Sequence, residues 1–238
     1  MVLPQINNAP KYSVKIPSTG KVLTYRPFLV KEQKILLMAM ESQDAKQILR
    51  SITDTIESCV IGPIDTAKLA TFDVEYIFTQ IRASSVGEVA SVKITCKECN
   101  LANEVDINLQ DIKIDIDPNV SNKVKLNDDY IIEMRYPTYN DLAKKDQLLQ
   151  DSPSPTETLL SLITMSLDKL LTNEEVIDLT TQTPEDLQQF VENLTTDQFK
   201  QLVQFVENVP SLKHQVKFEC ISCKTANTYN LEGINDFF

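Results

Sequence analysis

The chain is poor in the residues on which most enzyme motifs depend. Its 238 residues include four glycines and a single histidine, His214. So few glycines do not supply the close-approach turns of a phosphate-binding loop, and neither G-x-G-x-x-G nor G-x-x-x-x-G-K-[ST] occurs. The nearest fragment, Ser18-Thr19-Gly20-Lys21, lacks the first glycine and no helix follows it; it reads as a hairpin turn. A lone histidine excludes H-E-x-x-H and leaves little basis for Ser-His-Asp or Cys-His catalysis, and G-x-S-x-G is absent too. His214 reads as a neutral core or surface residue. Glu174-Glu175 and Asp128-Asp129 read as solvated surface, and no pair of carboxylates is singled out for acid–base work. No enzyme is expected.

Long apolar runs are missing as well. None approaches the roughly 20 residues that cross a bilayer, and the opening MVLPQINNAPKYSVKIP lacks a basic segment followed by an apolar one. These absences predict a protein that stays in a reducing cytoplasm. Positive charge is also short: 23 Lys plus Arg stand against 34 Asp plus Glu, a net charge of −11. The basic residues are scattered singly or in pairs such as Lys144-Lys145, whereas phosphate backbones and anionic surfaces call for clusters. Nucleic acid, membrane and small-molecule substrates are not expected as partners. A hydrophobic content of 42% is too high for disorder and fits one or two globular domains.

What the chain does have is one motif written twice. VKITCKECNLAN begins at Val92 and VKFECISCKTAN at Val216. Cys96 and Cys220, Cys99 and Cys223, Asn103 and Asn227 are each separated by 124 positions. A second echo lies upstream, where Ser13–Pro27 and Lys123–Pro137 read as hairpins related by an offset of 110 at Val14/Val124, Lys15/Lys125 and Pro27/Pro137. Turns are expected at Pro17–Gly20 and Asn127–Asp129. The growth from 110 to 124 puts about fourteen additional residues in the second half, between Leu171 and Asp197.

Between these landmarks the apolar spacing is helical. FLVKEQKILLMAMES, QDAKQILRSITDTIESCVI and TFDVEYIFTQIRASS predict three helices, the second stopped by Gly62-Pro63 and the third with Asp73 near its start. In the second half, TYNDLAKKDQLLQ and DSPSPTETLLSLITMSLDKLL predict two more, the latter capped by Ser154 or Thr156. TPEDLQQFVENL and TTDQFKQLVQFVENV predict short amphipathic helices, each entered by Thr and an acidic first turn. The fold class expected is α+β: a tandem duplication of a hairpin–helices–knuckle module. The first repeat spans 1–118 and the second 119–238, docked about an approximate two-fold axis.

Each Cys-x-x-Cys turn supplies two sulfurs, and two such turns make a closed tetrahedral site for one zinc ion held by Cys96, Cys99, Cys220 and Cys223. The 120 residues between Cys99 and Cys220 far exceed ribbon spacing, but a duplicated half brings its knuckle back by symmetry. Local disulfides, a redox dithiol, iron–sulfur ligation and an empty cluster are the other readings. A closed site has no position for a reacting water, so its zinc is expected to be structural. Cys59 reads as an inert buried thiol. The terminal Phe237-Phe238 read as packing on the core or anchoring a partner.

Ile16–Ser42, IPSTGKVLTYRPFLVKEQKILLMAMES, resembles the signature segment of the T4-like bacteriophage baseplate protein family, its small hub-associated component. Arg26, Pro27, Phe28, Leu29 and residues 31–34 carry the resemblance, and the length agrees. The family implies a structural or assembly component of a contractile-tail baseplate hub that acts through other baseplate or hub proteins. It would be found in the host cytoplasm during assembly, and in the virion baseplate if it stays in the particle. Two alternatives remain: a zinc-ribbon adaptor in transcription or RNA handling, and a tail assembly chaperone absent from the virion.

Overall fold

The computed structural model describes residues 9–114, 116–117, 119–141 and 154–233. The chain is mixed helix and sheet, α+β, and divides into two compact units, one of Met1–Asp115 with Ser211–Phe238 and one of Ile116–Pro210. The expected boundary near Pro118 lies close to the first of these divisions. The units and the sequence halves are nonetheless different things, because the stretch carrying the second knuckle belongs to the same unit as the first.

The first unit opens with β1 (Tyr12–Lys15) and β2 (Val22–Tyr25), paired antiparallel from Tyr12↔Tyr25 to Lys15↔Val22. Their turn closes through Gly20 N–H to the Ile16 carbonyl, with Gly20 at φ 71°, a left-handed conformation in which a side chain is strained. Helix α1 (Val30–Ser42) follows, then α2 (Ala45–Cys59), where Asp44 accepts from the N–H groups of Lys46 and Gln47 as an N-cap. The sequence reading carries α2 on to Ile61. Instead Val60 and Ile61 form a short strand, β3, beside β2 (Tyr25↔Val60, Thr24↔Ile61), so Gly62 ends a strand. These two β-branched residues gain ladder bonds by leaving the helix.

Helix α3 (Thr71–Val86) is tied to the first hairpin through Asp73, which is fully buried. Its carboxylate accepts from Ser18 N–H at 2.9 Å and from the Ser18 hydroxyl, while burial pushes its pKa up. After α3 come β4 (Val89–Thr95), β5 (Ala102–Asn108) and β6 (Lys113–Ile114).

Arg26 closes this region. Its guanidinium donates to Glu32 Oε1 at 2.9 Å and to the Ser58 carbonyl at 3.0 Å. Glu32 Oε2 accepts from Leu29 N–H at 2.7 Å, and the Arg26 N–H bonds the Cys59 carbonyl at 3.0 Å. The hairpin exit, the start of α1 and the end of α2 therefore meet at one buried ion pair. Burial raises the Glu32 carboxyl, but the bonds from Arg26 and Leu29 overcome it and hold the pKa below its ordinary value.

The second unit carries β7 (Lys123–Lys125) and β8 (Ile131–Met134), joined by a turn in which Asn127 Oδ1 accepts from the N–H groups of Asp129 and Tyr130. Helix α4 (Pro155–Ser166) starts from a capping box, Ser154 with Glu157. The sequence reading continues this helix through Leu171. Here Leu167–Leu171 is instead β9, which lies between β8 and β10 (Val176–Asp178). Apolar spacing in so short a stretch suits either state, and pairing on both edges decides it. Helices α5 (Pro184–Glu192) and α6 (Thr196–Glu207) are capped by Thr183 and Thr195, as their sequences predict. Between Leu171 and Asp197, the place expected for the additional residues, the chain forms β10, a 3-10 turn and α5. Ile132, Met134, Ile163, Leu202 and Phe205 lie at the centre of this unit's core.

The Arg26 arrangement recurs in this unit. Arg135 donates twice to Asp141, at 2.6 and 3.1 Å, Asp141 accepts from Thr138 N–H at 2.9 Å, and Arg135 N–H bonds the Ser166 carbonyl at 2.7 Å. Arg135, Thr138 and Asp141 each stand 109 positions after Arg26, Leu29 and Glu32. The offset drops from 110 because residues 16–21 close the first hairpin and residues 126–130, one fewer, close the second. The identity of Pro27 and Pro137 is thus not a structural equivalence; the arginines correspond. The helix predicted over residues 138–150 begins at Tyr139 and is described to Asp141; the rest of it lies outside the described residues, as do Phe237 and Phe238.

The chain returns to the first unit through β11 (Leu212–Glu219) and β12 (Ala226–Glu232). β11 pairs with β12 on one edge and with β6 on the other, through Leu212↔Ile114 and Lys213↔Lys113. Ala90, Ile94, Ile107, Leu212, Val216 and Leu231 share one core beneath the two knuckle hairpins.

Candidate metal centre

The two knuckles are the same object in backbone terms. β4 and β5 pair from Val89↔Asn108 to Thr95↔Ala102, and β11 and β12 repeat that register 124 positions later, from Lys213↔Glu232 to Glu219↔Ala226. Cys96 N–H bonds the Leu101 carbonyl at 2.8 Å and Cys220 N–H bonds that of Thr225 at 3.0 Å. The Asn100 and Lys224 N–H groups return to the carbonyls of Cys96 and Cys220 at 3.1 and 3.0 Å. Asn100 and Lys224 take left-handed φ values of 57° and 59°. Asn tolerates that region, whereas Lys bears a cost of about 1–2 kcal/mol there. Glycine relieves most of it while adding its own entropic cost of roughly 0.5–1 kcal/mol. Lys224→Gly should therefore raise the thermal midpoint by about 2 °C and Asn100→Gly should not; a lower midpoint for Lys224→Gly contradicts the strain.

The turns bring four sulfurs together. Cys96 Sγ lies 3.7 Å from Cys223 Sγ and Cys99 Sγ lies 3.6 Å from Cys220 Sγ, and all four fall within 4.8 Å of one another. Zinc–sulfur bonds of about 2.3 Å place the corners of a tetrahedron about 3.8 Å apart, so the spacing fits a four-thiolate ion. All five cysteines are free, and the short separations run between knuckles rather than within them. Two intra-knuckle disulfides are not what the structure holds.

The electrostatics follow the same two-fold pattern. The first cysteine of each knuckle accepts N–H bonds from its own turn: Cys96 from Cys99 and Glu98, Cys220 from Cys223 and Ser222. These bonds lower the Cys96 pKa to about 6 and lower that of Cys220. A backbone bond at Leu101 pulls Cys99 down, but desolvation and the adjoining sulfurs of Cys223, Cys220 and Cys96 push it up to about 12. Four thiolates crowded this closely repel one another, and a bound divalent cation removes that cost. Four protein ligands complete a tetrahedron and leave no position for substrate, so such an ion stabilises structure rather than catalysing a reaction.

The other sequence candidates lie apart from this cluster. Cys59 is buried at the end of α2, where burial raises its thiol to about 11 and Arg26 Nη1 sits 3.8 Å from its sulfur. His214 is half-buried on β11 opposite Leu231. Ser18-Thr19-Gly20-Lys21 forms the first hairpin turn, held by Asp73. Sequence reasoning counts Asn103 and Asn227 only as matching positions and gives them no role, yet both side chains are buried against the opposite knuckle. The visible signal was their identity at the same offset as the cysteines.

A sequence-family model described as T4 bacteriophage base plate protein matches residues 9–238, nearly the whole chain. No curated protein and no solved structure matches it.

Proposed function

Because the chain belongs to the T4 bacteriophage base plate protein family, we propose that it is a structural or assembly component of a contractile-tail baseplate hub, works by contact with other baseplate proteins, and carries one structural zinc ion on Cys96, Cys99, Cys220 and Cys223. The family match is the observation that carries this reading. The sulfur geometry supports the zinc: one ion would clamp hairpins that are far apart in sequence, so that residues 116–210 leave and re-enter the first unit beside the same knuckle. We also read the chain as an ancestral duplication with repeats 1–118 and 119–238, supported by the matched knuckles and by the two Arg–carboxylate clamps.

Helix α1 supports a contact role. It buries Glu32, Leu36 and Ala39, yet Val30, Ile35, Leu37 and Met38 remain more than half exposed on its other sides. Beside it, Phe28, Leu36, Met40, Ile52 and Phe78 line an apolar groove of about 220 Å³. Such a surface is what a baseplate neighbour would cover. Tagged protein recovered from infected cells should bring down identified baseplate proteins. Ile35→Glu with Met38→Glu should abolish this while leaving the melting curve within about 0.5 kcal/mol of wild type, as exposed positions allow. Recovery of no baseplate protein by the wild type refutes the reading. Mass spectrometry of purified virions separates a resident component from an assembly factor that departs.

A further inference from the structure

Asn103 and Asn227 are each nearly fully buried, at 2% and 3% exposure, and each reaches across to the opposite knuckle. Asn227 Oδ1 accepts from Lys97 N–H at 3.1 Å, and Asn103 Oδ1 accepts from Ile221 N–H at 2.9 Å. Lys97 and Ile221 are the residues immediately after Cys96 and Cys220, so each bond fixes the peptide next to a metal-facing sulfur. Both amide nitrogens turn homeward: Asn103 Nδ2 donates to the Leu101 carbonyl at 2.8 Å and Asn227 Nδ2 to that of Thr225 at 2.9 Å. Asn227 Nδ2 also lies 3.4 Å from Cys96 Sγ.

We propose that this exchanged pair is a latch: Asn103 and Asn227 are positioning residues that join the knuckles in register, so the four sulfurs are assembled before a metal ion arrives. The chemistry requires asparagine. Aspartate keeps the acceptor but loses the homeward donor and adds a buried charge beside thiolates, while leucine at either site leaves one backbone N–H and one carbonyl without their partner. Neither asparagine touches the ion. Both act on it through the cysteine turns, as the outer partners of metal ligands do. Asn227 has a further effect, because its N–H···S bond withdraws charge from one thiolate.

The inference rests on reading the cluster as a metal centre, and two measurements keep the two readings distinguishable. In the first, wild type, Asn103→Ala and Asn227→Ala compete for zinc against a chromophoric chelator and are loaded with cobalt(II). Each alanine should weaken zinc binding by about 10- to 100-fold. Only Asn227→Ala should shift the sulfur-to-cobalt charge-transfer band, an asymmetry that loss of packing alone does not produce. Zinc affinity within twofold of wild type in both variants overturns the latch and leaves the metal centre standing. In the second, amide exchange at Lys97 and Ile221 is followed in chelator-treated wild type. Slow exchange that each alanine abolishes supports a metal-independent latch, even if the wild type binds no zinc; fast exchange in the wild type overturns it.

Discussion

Cys99→Ser should lose the proposed zinc ion and melt well below the wild type. Cys99 is exposed, so replacing sulfur with oxygen there leaves no cavity, and any large loss of stability reports on the ion. Structural zinc contributes an apparent 10–16 kcal/mol or so in finger peptides at neutral pH. This chain also has the core formed by Ala90, Ile94, Ile107, Val216 and Leu231 beneath the knuckles, so the variant should keep its secondary structure and lose several kcal/mol of that contribution. Elemental analysis should find about one zinc per wild-type chain and markedly less in the variant. Chelator should lower the melting temperature of the wild type and leave the variant unmoved. Cys59→Ser, altered away from the cluster, should retain full metal content. Equal metal content and melting temperature in wild type and Cys99→Ser would remove the zinc clamp from the proposal.

The second large effect is at Arg26. Arg26→Met leaves the Glu32 carboxylate, 4% exposed, without its guanidinium. Breaking a buried pair from one side costs about 3–5 kcal/mol; because Arg26 keeps a fifth of its side chain in water, about 3 kcal/mol is expected. For a chain of this size that is a fall of roughly 6–12 °C in melting temperature. Changing Glu32→Gln as well should recover much of it, since the exposed Lys31, 3.3 Å from Glu32 Oε1, offsets only part of the charge left behind. An unchanged midpoint for the single variant would show that the pair contributes nothing.

Acid should act on the same clamps. Burial raises both carboxyls, but Arg26 and Leu29 around Glu32, and Arg135 and Thr138 around Asp141, lower them further than burial raises them. A group whose folded pKa is depressed adds stability that is complete above its unfolded pKa, near 4, and vanishes as pH falls through the folded value. Asp73 works in the opposite sense: burial raises its pKa, so it disfavours the fold as pH climbs through the unfolded value towards the folded one. With two clamps against one buried aspartate, the midpoint should fall on acidification below about pH 4, and less so in Arg26→Met. A midpoint that rises below pH 4 would assign the larger effect to Asp73.

Much of the local structure was legible in the residues. Ser154, Thr183 and Thr195 announce helix starts because their side-chain oxygens satisfy N–H groups within three residues, a purely local event. The knuckle strands were legible for the same reason: alternation of apolar and polar residues encodes one buried face, and Cys-x-x-Cys encodes a turn. The cysteine cluster was legible because the Cys-x-x-Cys motif occurs twice with matching flanks. The two strands read as helix, Val60–Ile61 and Leu167–Leu171, were not legible, since each pairs with a strand, β2 or β8, that lies well back in the sequence.

By itself the sequence determined which segments turn, cap and alternate, which residues can ligate soft metal, and, through one signature segment, the family. Only the tertiary structure decided that the second knuckle packs in the same unit as the first, that Arg26 and Arg135 anchor matching clamps, and that Asn103 and Asn227 exchange partners. The physical reason is range. Turn and strand preferences act over a few residues, whereas a buried amide or carboxylate is defined by the donor that finds it, and the donors that meet the two asparagines lie more than a hundred residues away.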